Sequence, residues 1–268
     1  MTFTIKNLKR NKILWLLIAL MALVASLIGA AHPGVYQKLT VLENLPAILS
    51  QDLITVLASI TMLYLITRID EDDFVKQLVL FGIVGYLFYV YGIYVFGKFY
   101  NILYLLCMAI FSLSFFSLVY GITNIRNEAN EKIKISQPVQ KVSAAFLFLI
   151  PIIFYPMWII QMWPFMQEMR VPIVNSNVYI LDICFVLPVF AMMAVMLLKK
   201  ENFAILLTPV LLIKGFTLCL SVALTEYLRP FYNQTCIKLN AFLFSFLALV
   251  SLVLALLYFK KVRYSNDD

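Results

Sequence analysis

Eight long apolar runs follow one another along this sequence. A helix needs roughly 20 apolar residues to cross a hydrocarbon core about 30 Å thick. The runs lack the polar alternation that marks the strands of an outer-membrane barrel. The sequence therefore predicts an all-α, polytopic transmembrane helical bundle of about eight spans, at residues 13–31, 48–67, 77–96, 102–122, 142–163, 178–198, 203–224 and 239–259.

The composition agrees with a lipid environment. Of the 268 residues, 63% are hydrophobic and 13% are charged, whereas an average soluble domain has roughly 45–50% apolar and about 25% charged residues. The net charge of +7 raises the question of nucleic acid. The cations, however, lie between the apolar runs and form no stripe with interleaved aromatic residues. We therefore expect the lipid bilayer, and no nucleic acid, as a partner.

Lysine and arginine are unevenly distributed among the connections. If the N-terminus is cytoplasmic, the inner segments carry 15 of the 21 cations, the outer segments carry 5, and Lys214 lies within a span. Cytoplasmic loops of membrane proteins are enriched in these residues. The pattern predicts that both termini lie in the cytoplasm.

The first run has a second interpretation as a signal peptide, because it follows a basic segment and ends in Gly29, Ala30 and Ala31. A signal peptide has an apolar core of roughly 7–15 residues, and this run is longer. We expect the helix to be retained, although cleavage would leave seven spans with the same orientation.

Cysteine and histidine are too few and too scattered for a metal site. Cys107, Cys184 and Cys219 lie inside apolar runs, where cysteine behaves as a small hydrophobic residue. The sequence has no C-x-x-C pair, and His32 is its single histidine. We expect neither a metal site nor a cofactor.

The two halves of the chain show weak self-similarity. Each half has a helix entered near an acidic residue, Asp52 or Asp182, and the two residues are 130 positions apart. We interpret residues 1–122 and 142–268 as two parallel four-span repeats of the kind found in some transporters, joined by a cytoplasmic connector at residues 123–141. The alternative is that all helical bundles with short turns look alike at this level of comparison.

Ionisable side chains inside the runs are the first candidates for function, since a charge costs roughly 2.5–3.5 kcal/mol at a helix centre. Lys214 and Asp182 lie in consecutive runs and are candidates for an ion pair in a polar site between the halves. The alternative is a packing pair or a neutral lysine. Asp52, beside Gln51, has the alternative role of stabilising the first turn of its helix. By this count Asp52 and Asp182 are the only acids within the spans.

The third run is rich in tyrosine. Tyr86 and Tyr89 share a helix face and lie deep in the span, where each hydroxyl needs a polar partner. They are interpreted either as core packing or as part of a polar cavity with the ionisable residues above. Tyr94 is predicted to belong to an interfacial aromatic belt.

Several short motifs, in both halves of the chain, are shared with a group of membrane proteins. They include Gln51-Asp52-Leu53, Gly85-Tyr86-Leu87-Phe88-Tyr89, Tyr94-Val95-Phe96-Gly97, Leu181-Asp182 and Lys214-Gly215. In these motifs the chain resembles an uncharacterised group of bacterial multi-pass inner-membrane proteins. It departs from them at Asn177-Val178, where relatives often have Asn-Pro. The resemblance implies the bacterial inner membrane and carries no assigned activity.

Three classes of function remain open. A small transporter or permease-like protein for an unknown small solute or ion is favoured by the parallel repeats and the ionisable residues. A non-transporting sensor, assembly factor or accessory subunit would instead have a membrane protein partner. An intramembrane enzyme is least favoured, because no catalytic constellation is present. The candidate ligand-binding or ion-pathway residues are Asp182, Lys214, Asp52, Gln51, Tyr86 and Tyr89.

Overall fold

A computed structural model describes residues 7–71, 73–124, 133–170, 176–261 and 263–264. This part of the chain contains eight helices that are long and apolar enough to cross a bilayer, which confirms the predicted all-α polytopic bundle. The helices are α1 (Leu8–Ala31), α2 (Leu45–Arg68), α3 (Phe74–Phe96), α4 (Tyr104–Thr123), α5 (Gln137–Gln167), α6 (Ser176–Leu198), α7 (Asn202–Leu228) and α8 (Lys238–Lys261).

Short elements connect the long helices. A one-turn helix, Gly34–Gln37, follows α1, and 3-10 turns at Leu42–Asn44 and Arg229–Tyr232 precede α2 and follow α7. A two-residue antiparallel ladder pairs Ile133–Lys134 with Arg263–Tyr264.

Helix α6 contains an irregular turn in its first half. Residues Asp182–Val186 form a π-helical turn, and the Leu187 N–H donates to the Asp182 carbonyl. Pro188 follows directly, and a proline has no N–H to continue the α-helical pattern. Single π turns inside helices occur frequently at functional sites, so this turn draws attention to Asp182.

The helices pack as two compact units. The first unit comprises Met1–Ala129 and Pro209–Leu256, and the second comprises Asn130–Thr208 and Leu257–Asp268. The chain passes from one unit to the other within α7 and again within α8. These packing units have different boundaries from the predicted repeats at residues 1–122 and 142–268. Because packing and internal duplication are different properties, the repeat stays a prediction.

Within the first unit, α1 packs along α2 and α4, and α3 packs along α4. Helix α3 has the most buried apolar window of the eight candidate spans. Its Gly82 allows α7 to come very close, because a Cβ at that position would lie 2.5 Å from the Ile213 Cβ. Small residues at such contacts let membrane helices approach each other closely.

Within the second unit, α5 packs along α6. The Gln140 side-chain amide donates to the Leu197 carbonyl at 2.6 Å, near the end of α6. The Tyr258 hydroxyl donates to the Ile205 carbonyl at 2.7 Å. These two buried polar groups thus have backbone partners, as a low-dielectric interior requires.

The predicted connector is described only in part. Residues 125–132 lie outside the described residues, and from Gln137 onward the chain already belongs to α5. The end of the predicted connector is therefore the start of a helix.

Candidate functional site

Asp52 is buried two turns into α2, with 2% of its surface exposed. Its Oδ1 accepts a hydrogen bond from the Tyr94 hydroxyl of α3 at 3.1 Å. The Tyr36 hydroxyl is the polar neighbour of its Oδ2, and both atoms face Gly29 of α1. We call Gly29, Tyr36, Asp52 and Tyr94 the Asp52 cluster.

The Asp52 cluster depends on close contacts from three segments. A Cβ at Gly29 would clash with both the Asp52 carboxyl and the Tyr36 hydroxyl, so only glycine leaves room there. The Tyr36 and Tyr94 rings stack with centroids 5.8 Å apart. Burial, and then the nearby Asp52 carboxylate, raises the pKa of Tyr36 far above its ordinary value. An ordinary tyrosine is already protonated at neutral pH, so the Tyr36 hydroxyl faces Asp52 as a neutral group.

A row of hydroxyl groups lies beside this cluster, between α2, α3 and α7. The Tyr86 hydroxyl donates to the Gln51 carbonyl at 3.2 Å and lies 3.3 Å from the Thr55 hydroxyl. Ser221 of α7 lies beside the same phenol. We call Ser50, Thr55, Tyr86, Ser221 and Thr225 the hydroxyl seam.

The far end of the hydroxyl seam is formed by direct contacts between α2 and α7. The Ser50 hydroxyl lies 2.8 Å from the Thr225 hydroxyl and 3.4 Å from that of Ser221. A hydroxyl group can both donate and accept a hydrogen bond. The seam is therefore a set of neighbouring groups that can exchange protons along their hydrogen bonds.

Lys214 is buried in the same unit, with 6% of its surface exposed. Its ammonium nitrogen lies 4.5 Å from the centroid of the Tyr89 ring. Gly85, one turn before Tyr89, lies against the aliphatic stem, since a Cβ there would be in ordinary van der Waals contact with the Lys214 Cγ at 3.6 Å. The lysine is therefore sheltered from lipid by the face of α3.

Lys214 shares a helix face with the hydroxyl seam. Thr217, Ser221 and Thr225 follow it at spacings of three, four and four residues, and residues three or four apart are neighbours on a helix. All four side chains are buried. Helix α7 thus carries a polar stripe that begins with a cation and ends in hydroxyl groups.

Glu226 follows Thr225 and is 3% exposed. Its Oε2 forms an ion pair with the Arg229 Nε at 2.8 Å and accepts a hydrogen bond from the Ile237 N–H at 3.0 Å. Arg229 also donates to Gln234, whose amide in turn donates to the Leu42 carbonyl. This network joins the α7–α8 connection to the 3-10 turn that precedes α2.

Asp182 lies in the second unit and is 8% exposed. The Trp158 indole N–H of α5 donates to its Oδ2 at 2.9 Å. The Trp158 ring also packs against Tyr179, with centroids 5.3 Å apart, and Tyr179 donates to Gln161 at 3.3 Å. Asp182 therefore sits at the π turn of α6, among aromatic side chains that supply donors.

The predicted site residues are thus distributed over both units. Gln51, Asp52, Tyr86, Tyr89 and Lys214 come together in the first unit, whereas Asp182 belongs to the second. The predicted Lys214–Asp182 pair stays a prediction.

Three expectations from the sequence are wrong. Tyr94 is buried and bound to Asp52 instead of lying in an aromatic belt. Asp52 does not stabilise a first helical turn, because α2 begins seven residues earlier at Leu45. Asp52 and Asp182 are not the only acids in the spans, because α7 continues to Leu228 and includes the buried Glu226.

Several site residues were missed from the sequence. Thr217, Ser221 and Thr225, which continue the helix face of the predicted Lys214, were detectable from their helical spacing. Tyr36 and Trp158 carry no local signal, since each reaches its carboxylate from a different element.

Eight apolar helices with polar side chains gathered inside them define a multi-pass integral membrane protein. No family model, curated protein or solved structure matches the chain. The resemblance to the bacterial inner-membrane group stays a prediction.

Proposed function

We propose that the protein is a small permease-like transporter whose ion pathway follows the hydroxyl seam of the first unit. The observation that supports this most is the direct contact between Ser50 of α2 and Thr225 of α7, at 2.8 Å. This contact continues the hydroxyl seam away from the buried carboxyl group of Asp52. The transported ion is the proton.

Asp52 is the ion-binding group of this proposal. A carboxyl group buried in a span must either hold a proton or find a cation. Its Oδ1 accepts from Tyr94 and its Oδ2 has the Tyr36 hydroxyl as a polar neighbour, so the carboxyl group can hold a proton among hydroxyl groups. The backbone carbonyl of the preceding residue, Gln51, accepts a hydrogen bond from Tyr86, which places the hydroxyl seam beside the Asp52 cluster along α2.

Lys214 sets the electrostatic field at the other end of the stripe. A fixed cation inside a bundle repels other cations, and at mid-span its charge is screened little by solvent. We propose that Lys214 regulates access from the predicted cytoplasmic side, and that Asp182 in the second unit contributes a second carboxyl group to the mechanism.

The proposed location is the cytoplasmic membrane of a bacterium, with both termini inside. The excess of Lys and Arg in alternate connections supports this orientation. In this orientation the connections that carry Lys38 and Lys98 lie on the outer side.

The test is proton flux into liposomes that contain the purified protein and the pH dye pyranine. A potassium gradient with valinomycin imposes the voltage. We expect flux above that of protein-free liposomes, and we expect Thr55→Val and Ser221→Ala to reduce it about tenfold or more by interrupting the seam. Thr61→Val, at an exposed position of α2 whose hydroxyl donates to the Leu57 carbonyl of the same helix, is the matched control and should leave the flux unchanged.

Flux no greater than that of protein-free liposomes would overturn the proposal. A stable membrane protein partner after gentle detergent extraction, together with absent flux, would favour the accessory-subunit alternative.

A further inference from the structure

The second unit contains a large apolar cavity where α5 ends and α6 begins. Its volume is about 530 Å³, within the range of roughly 300–1,000 Å³ that is typical of ligand pockets. Helix α5 contributes Met162, Phe165 and Met166, and α6 contributes Tyr179, Ile180 and Ile183. Methionine side chains are flexible and adapt to irregular apolar ligands.

The cavity opens onto helix faces that a bilayer would cover. Met166 is 59% exposed and Ile180 is 44% exposed, and both lie on candidate spans. An apolar molecule can therefore enter from the lipid without passing through water. This favours a ligand with hydrocarbon chains.

One charged residue, Arg170, lines the cavity within the described part of the chain. Its guanidinium lies 5.1 Å from the centroid of the Phe165 ring and forms an ion pair with Glu168 at 2.7 Å. More than half of each charged side chain is exposed. Exposed pairs contribute little to stability, so Arg170 can exchange Glu168 for another anion.

The position of Arg170 fits a phosphate group. Arginine binds phosphate through a planar fork of donors. Arg170 follows directly on Met169, which lines the cavity just beyond the end of α5. A phospholipid has the same order of parts, with a phosphodiester joined to apolar chains.

We propose that this cavity binds a phospholipid of the surrounding bilayer, with an acyl chain between α5 and α6 and the phosphodiester on Arg170. This site is separate from the hydroxyl seam and does not depend on the proposed transport. It gives the lipid a fixed place against the π turn that holds Asp182, since Ile183 belongs to both the cavity and that turn.

The test compares two probes with the same chains, dioleoylphosphatidylglycerol and dioleoylglycerol, added to the delipidated full-length protein and counted by native mass spectrometry. We expect the phospholipid to bind roughly tenfold tighter, the scale of one charge-assisted hydrogen bond. Arg170→Gln should reduce its binding to that of dioleoylglycerol. Lys238→Gln, at an exposed cation outside the cavity, should change neither.

A second variant tests the apolar part. Ile180→Trp fills the cavity and should weaken the binding of both probes about tenfold, and Met166→Trp repeats the test from α5 should the first variant fold poorly. Equal binding of the two probes to the parent protein would overturn the proposal. Unchanged binding in a folded filling variant would overturn it as well.

Discussion

The Lys214 ammonium nitrogen lies 4.5 Å from the centroid of the Tyr89 ring, across the contact between α7 and α3. This distance is within the range of a cation–π interaction, and such contacts are stronger when they are removed from solvent. The contact explains how a lysine at 6% exposure is kept within an apolar helix.

A double-mutant cycle of Tyr89→Leu and Lys214→Met measures this contact. We expect a coupling free energy of about 1–2 kcal/mol, obtained from detergent-denaturation midpoints. The exposed pair of Tyr64 and Arg68, with 5.8 Å between the guanidinium and the ring centroid, is the control and should give about 0.5 kcal/mol. Equal couplings for the two pairs would contradict a sheltered Lys214.

Gly29 offers a direct test of the Asp52 cluster. Gly29→Ala should destabilise the protein by about 1–3 kcal/mol, the usual cost of overpacking, because the new methyl group meets Asp52 and Tyr36. The measurement is thermal unfolding in detergent. Gly34→Ala is the matched control, since a Cβ there has no neighbour within 4 Å. Equal unfolding temperatures for Gly29→Ala and Gly34→Ala would contradict the close packing of the Asp52 cluster.

The buried acid at the end of α7 gives a third prediction. Glu226→Gln should lower the free energy of unfolding by about 1–3 kcal/mol, because it removes the charge that pairs with Arg229 at 2.8 Å. Glu168→Gln removes the partner of an exposed arginine and should change the stability by less than about 0.5 kcal/mol. Denaturation midpoints of the two variants measure this difference. A larger loss of stability in Glu168→Gln than in Glu226→Gln would contradict the assigned network.

The predicted orientation is open to a separate test. Reporter fusions that fluoresce only in the cytoplasm should be active at either terminus, because the basic connections alternate with that topology. A reporter that is active only outside the cytoplasm should be active when inserted after Lys98. If the cytoplasmic reporter were inactive at both termini and the external reporter active there, the orientation would be the opposite of the predicted one.

The sequence was sufficient to predict the helices but not their partners. Apolar length is a local property, so all eight helices were found, with each end within five residues of the observed one. Helix α7 extends four residues past its apolar run and so includes Glu226. The burial of Lys214 was also predicted, because a charge in the middle of an apolar span is costly unless it is kept away from lipid. Tertiary contacts such as Tyr94 with Asp52 depend on which helices are neighbours, and a single sequence does not specify that.

The roles of the polar residues were harder to predict than their burial. Tyr86 and Tyr89 share a helix face, as expected from their spacing. Their partners nevertheless differ, because Tyr86 reaches α2 through its hydroxyl while Tyr89 presents its ring to Lys214. The contact partner of a tyrosine depends on the neighbouring helix as much as on its own position.

The most direct test of the proposed ion pathway is the voltage-driven proton flux of Asp52→Asn in pyranine-loaded liposomes. The amide keeps the shape of the side chain and removes its ability to bind and release a proton. Glu43→Gln, an exposed acid just before α2, is the control. We predict that Asp52→Asn lowers the flux at least about tenfold while Glu43→Gln retains it. Equal flux from Asp52→Asn and the parent protein would contradict the account.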